Sequence, residues 1–153
     1  MIPNLISMAL PIAAAWVKEH QAIILRDGVP LSDQQCADAQ QAGVKNPKLV
    51  RLLKVDFMPM PTDPILAMAN DQVHLVSPVT AGITFGHGIY IRSEMWDHRP
   101  LVVHELVHVG QFERYGDPEA FLKAYITECL TIGYPNGPLE REAINRSKEI
   151  CQG

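Results

Sequence analysis

Cysteine is too scarce and too scattered in this chain for disulfides to hold it together. Cys36, Cys129 and Cys151 are odd in number and lie far apart. They form no disulfide framework and favour a reduced, cytoplasmic setting. A dominant charge is also missing: the formal net charge is −4, with no run of one sign and no interleaving of basic and aromatic residues. Nothing in that balance attracts nucleic acid. No apolar run reaches the roughly 20 residues that span a bilayer. The longest candidate, from Met1 to Trp16, is interrupted by Pro3 and Pro11 and lacks the Lys or Arg that opens a secretion signal. No stable membrane span is therefore expected, an atypical cleaved signal being the alternative. Repeats, linkers and low-complexity stretches are absent as well, so residues 1–153 are expected to form one domain around one core.

What the chain does contain is the pentapeptide His104-Glu105-Leu106-Val107-His108. On an α-helix, residues four apart lie one above the other, so both imidazoles reach a common point with Glu105 beside them. Neutral imidazoles suit Zn²⁺, and the carboxylate is placed to take a proton from a water in an open metal position. The segment Leu101–Phe112 is apolar on nearly every face, which predicts a buried helix. Two His and a Glu in such a helix need partners, at a few kcal/mol each if left without. One bound metal would satisfy all three. Pro100 fits the first turn, Asp97 or Arg99 lies near the cap, and Gly116 fits the position just past the end, so the helix is expected over about 98–115. Gln111, three residues past His108 on the same face, is placed to bond a ligand or substrate, or else to face solvent.

A catalytic zinc site takes three protein ligands and keeps one position open. No cysteine closely precedes the motif, which turns attention to downstream carboxylates: Glu128 in Ala120–Leu130, and Glu140 and Glu142 at the start of the last helix. These three stay open on the residues alone. Glu140 and Glu142 are about 200° apart round a helix, so both cannot face one metal.

His104-Glu105-x-x-His108 followed by a Glu on a later helix resembles the gluzincin metallopeptidases, and Glu140-Arg141-Glu142-Ala143 resembles the Glu-x-x-Ala segment of their small and membrane forms. The likeness covers about residues 80–150. It implies a zincin-like domain with one Zn²⁺ held by His104, His108 and Glu140. It also implies Glu105 as general base, a peptide or protein substrate, and hydrolysis of a peptide or amide bond. Where the family often has an Asp four residues after the ligand Glu, this chain has Ile144; the same position after Glu128 is Ile132. Peptide deformylase shares the motif but adds an upstream Cys ligand that is missing here. A di-iron carboxylate protein needs Glu-x-x-His on two helices, and it occurs once. The alternative from another class is a non-catalytic zinc-binding or protein-interaction module.

The remaining chain reads as scaffold. Pro11 is expected at the first turn of an amphipathic helix over about 12–26, and Ser32 with Gln35 signals a capping box opening a helix that ends near Ala42-Gly43. Leu49–Met58 has strand composition, and Asp63-Pro64 opens a short helix to about Asn70. The runs 81–85 and 89–92 flank Gly86-His87-Gly88 as a β-hairpin. The expectation is thus an α+β domain: a small sheet or hairpin, then the buried motif helix, then two further helices. A sheet-edge strand ahead of the motif helix would pair with an extended substrate, and Ile89–Arg92 is the expected edge. His87 in the turn and Tyr134 ahead of Glu140 are candidates to reach the site, Tyr134 as a donor to an oxyanion. His20, His74 and His98 have no supporting spacing. Oligomeric state has no signature in these residues.

Overall fold

The three stretches of strand composition all form strands, and a two-residue strand at Val29–Pro30 joins them. The computed structural model describes residues 2–152 and makes them a four-stranded mixed sheet with six helices. In chain order these are α1 (Ile2–Asp27), β1 (Val29–Pro30), α2 (Asp33–Gln41), β2 (Arg51–Val55), α3 (Pro64–Val73), β3 (Gly82–Phe85), β4 (Gly88–Arg92), α4 (Arg99–Tyr115), α5 (Pro118–Thr131) and α6 (Pro138–Gln152). The strand order is β1-β2-β4-β3. β2 and β4 run parallel, and the outer pairings are antiparallel. The domain is therefore a compact α+β unit, with two helices after the motif helix.

β4 explains the layering. Its residues point alternately to opposite faces: Ile89 and Ile91 pack with Val103, Leu106 and Val107 of α4, while Tyr90 packs with Val17 and Ile24 of α1. One helix thus covers each face, which suits a strand that is apolar along its length. α1 presses hard on the sheet at Gly88, where a Cβ would lie 2.8 Å from Ile24 Cβ. The β3–β4 hairpin closes through Gly86-His87, with Gly86 at φ +67°.

Local chemistry sets most helix limits. Ser32 and Gln35 form the reciprocal capping box of α2. The Asp63 side chain accepts from the Ile65 and Leu66 amides at the start of α3. α4 ends with Gly116 in the left-handed region at φ +76°. His98, rather than Asp97 or Arg99, is the N-cap of α4. Arg99 instead braces α4 against α2, donating to both carboxylate oxygens of buried Asp38 at 3.0 and 2.9 Å.

Two expectations fail here. The first helix does not begin at Pro11; it begins at Ile2 and carries Pro11 inside. An internal proline removes one helical bond and costs about 3 kcal/mol. Ser7, whose carbonyl loses that partner, is solvent-exposed, as is Pro11 itself. Packing of Ala9, Ala13 and Trp16 against α3 residues Leu66 and Ala69 holds the helix across the break. The second failure is the sheet edge. Ile89–Arg92 lies between β2 and β3, so the open edge belongs to β3. All three cysteines are free thiols, and among the described residues no helix is long and apolar enough to cross a membrane.

Candidate metal centre

α4 is buried from Val102 to Phe112 with only His104 less than fully covered. This places His104 and His108 one turn apart, facing the start of α6. There Glu140, in the first turn of α6, turns its carboxylate toward both rings. His104 Nε2 lies 2.9 Å from Glu140 Oε2, and His108 Nε2 lies 3.2 Å from Glu140 Oε1. The ligand atoms of the three residues all fall within 4.8 Å of one another. Of the three carboxylates left open by the sequence, Glu140 is the one brought to the two imidazoles.

The other two have different partners. Glu128 Oε1 accepts from the Leu139 amide at 2.8 Å, capping α6 from the neighbouring helix. Glu142 accepts from Gln111 Nε2 at 2.8 Å and Arg114 at 3.0 Å. The half-turn between Glu140 and Glu142 thus sends one carboxylate to the histidines and the other to the outer side of α4.

Gln111 fixes the chemistry of His108. It is fully buried, and its Nε2 donates to Leu139 O at 2.9 Å as well as to Glu142. Both partners are pure acceptors, so the amide can present only its Oε1 to His108 Nδ1, 2.8 Å away. His108 Nδ1 must therefore carry a hydrogen. Its Nε2 is left to face the Glu140 carboxylate with a lone pair if the ring is neutral, and two such electron-rich groups need a cation between them. A proton or a metal ion satisfies that need. The solvent-facing alternative for Gln111 does not hold.

The electrostatics agree. Burial pushes the Glu140 carboxyl upward, but hydrogen bonds from His104 and His108 outweigh it and hold the group far below the usual carboxylate range. Burial works against a charge on His108 also. The hydrogen bond to Glu140 and the charges of Glu105 and Glu140 nonetheless raise its pKa above the ordinary value. Tyr125 donates to Glu140 Oε1 at 2.8 Å, and burial followed by the Glu140 charge raises its phenol pKa strongly. Its hydroxyl stays protonated as a fixed donor.

Glu105 is held from the sheet side. Thr84 Oγ1 on β3 donates to Glu105 Oε1 at 2.8 Å and shares its hydrogen with the Glu105 carbonyl at 3.1 Å. Gly82 lies over the same side chain, where a Cβ would come within 3.3 Å of Glu105 Cγ. Glu105 thus points along the open edge of β3 toward a cavity of about 650 Å³, whose wall also includes His104, His108 and Glu140.

One candidate is displaced. His87 does not reach the site; its Nε2 binds Glu113 at 2.9 Å, and Glu113 also accepts from the Lys45 and Asn46 amides. The hairpin turn points away from the cluster toward the far end of α4. Tyr134 lines the cavity but is 67% exposed and makes no hydrogen bond to the cluster. The phenol bonded to the cluster is Tyr125, which sequence reasoning passed over, as it did Thr84. Neither carries a local signal, since a Tyr in an apolar helix and a Thr in a strand are ordinary there. His20 pairs with the Tyr90 hydroxyl at 2.8 Å, and His74 and His98 are the C-cap of α3 and the N-cap of α4, outside the His104–His108–Glu140 group.

Comparison with protein-family models, with curated proteins and with solved structures finds no match to this chain. The class that fold and site define is an α+β domain with a His-His-Glu cluster on two helices and a carboxylate beside it.

Proposed function

We propose that this protein is a zinc-dependent hydrolase that cleaves a peptide or related amide bond. His104, His108 and Glu140 hold one Zn²⁺, and Glu105 is the general base. The observation that carries the reading is the tautomer lock on His108: a buried amide forces Nδ1–H and turns Nε2 toward a carboxylate shared with a second imidazole. Two His and one Glu form a donor set of the catalytic kind, with room left for one more ligand. Bound there, zinc would supply Lewis acidity and lower the pKa of a water toward about 7.

The residues divide the remaining tasks. Thr84 occupies one oxygen of Glu105, which leaves Oε2 to accept a proton from water and return it to the leaving nitrogen. Tyr125 neutralises part of the Glu140 charge and keeps that carboxylate oriented. The open edge of β3, next to Glu105, offers backbone pairing to an extended substrate. The zincin-like relationship suggested by the motif rests on this same arrangement.

Glu105→Gln tests the reading. The variant should keep its zinc, measured by elemental analysis, and lose hydrolysis of a random peptide and acyl-amide library by about a hundredfold or more. Equal turnover by parent and variant would overturn it, as would a parent that binds zinc and cleaves nothing.

A further inference from the structure

The cavity beside the cluster is larger than a single side chain would fill. An apolar cavity of roughly 150 Å³ takes a benzene molecule. At about 650 Å³ this one offers roughly four times the room of one aromatic ring. Protein interiors normally fill such space to crystal-like density. Here the facing helices α1 and α3 present Ala9, Ala13 and Ala69, all buried, where leucine-sized side chains would close it. These small residues form the α1–α3 contact that walls the cavity, and the His104–His108–Glu140 cluster lines the same cavity.

The polar inventory of the wall is just as one-sided. Apart from the cluster and Glu105, its fully buried polar side chains are Asn70 and Thr84; Thr80 and the exposed His74 and Tyr134 line it toward solvent. Asn70 is committed in both directions to the Val76 backbone, at 2.9 and 3.0 Å. The Thr84 hydroxyl is committed to Glu105. A peptide running toward α1 would bring an N–H and a C=O with every residue, and each buried group left unpaired costs about 1–3 kcal/mol. A hydrocarbon brings none. No Lys or Arg lines the wall.

We propose that this cavity binds a long hydrocarbon chain, and that the bond cut is the amide joining an acyl chain to an amine. The inference rests on the hydrolytic reading above and names its substrate class. In the reaction water adds across the amide. The acyl carbon gains a C–O bond and its C–N bond breaks. The proton taken by Glu105 passes to the departing nitrogen, giving a carboxylic acid and an amine. The hydrocarbon lies against α1, α3 and α5, while the amide lies beside Glu105 and the edge of β3.

Neutral primary amides from butanamide to decanamide test the pocket. Calorimetric titration of the full chain should show affinity rising by about fourfold per methylene, with zinc and without it. Ala13→Leu and, separately, Ala69→Leu should abolish the gain for the longer amides while leaving butanamide affinity and zinc content unchanged. Denaturation midpoints identify any variant that fails to fold, the other then carrying the test. Affinity that does not grow with chain length would overturn the proposal, as would an equally tight capped tri-leucine peptide. The metal-free titrations separate the two readings. Chain-length dependence without cleavage of an N-decanoyl amide supports the pocket and overturns the assigned bond, and hydrolysis as a whole falls only if no peptide is cut either; peptide cleavage without chain-length dependence sinks the pocket alone.

Discussion

Replacing Gln111 by Leu removes three hydrogen bonds and changes little volume, which makes it the sharpest probe of the cluster. His108 Nδ1–H and Leu139 O would each lose a buried partner, while Glu142 keeps Arg114. Leu139 O keeps its helical partner within α6, so the one buried group left unpaired, His108 Nδ1–H, sets a stability loss of about 1–3 kcal/mol. The metal readout is separate. Freed of its acceptor, the neutral His108 ring can carry its hydrogen on either nitrogen and can turn. Loss of a partner that orients a metal-binding His typically weakens the metal by about 10–100-fold. Gln111→Glu keeps an acceptor for Nδ1 but sets a second carboxylate against Glu142, so it should retain zinc while losing stability. Chelator competition measures zinc affinity, and thermal unfolding of metal-free protein measures the rest. The reasoning is refuted if Gln111→Leu loses stability yet stays within about twofold of the parent in zinc affinity, well short of that range.

Three further outcomes follow from the same geometry. Glu140→Ala should lose nearly all bound zinc. Glu128→Ala should keep it and lose about 1 kcal/mol through the missing α6 cap; the reverse pattern in elemental analysis would reassign the third ligand. Asp38 is held below its ordinary pKa by the hydrogen bond from Arg99, so its stabilising share is present above about pH 4 and lost as pH falls below that. Arg99 is partly exposed, which limits the effect to about 1 kcal/mol; Asp38→Asn should flatten the acid limb of an unfolding-against-pH curve by that amount. Gly88→Ala should destabilise by about 1–3 kcal/mol in denaturant titration, because its Cβ would enter Ile24, which packs on the sheet.

Much of the scaffold was readable because its signals are local. The capping box at Ser32 and Gln35, Asp63 before Pro64, and Gly116 after the motif helix each act within a turn of the backbone they shape. The motif helix was readable for the same reason, since four-residue spacing alone aligns His104 with His108. Those residues already contain the two imidazoles and the neighbouring carboxylate, and the chain beyond them offers Glu128, Glu140 and Glu142 as the third candidate.

Choosing among the three needed the tertiary structure, because that choice depends on where α5 and α6 pack against α4. Their loops set it, and no periodicity encodes it. The same holds for Tyr125 reaching Glu140, for the turn that takes His87 to Glu113, and for Thr84 reaching Glu105 across 21 residues. The sheet edge was misplaced because an apolar run looks alike in a central and an outer strand, and only the pairing of β2 with β4 tells them apart. Pro11 is the converse case. Its local signal says that a helix begins there, and contacts with α3 override it. Short-range spacing thus determines which groups this chain can offer a metal, whereas the packing of distant helices decides which of them meet.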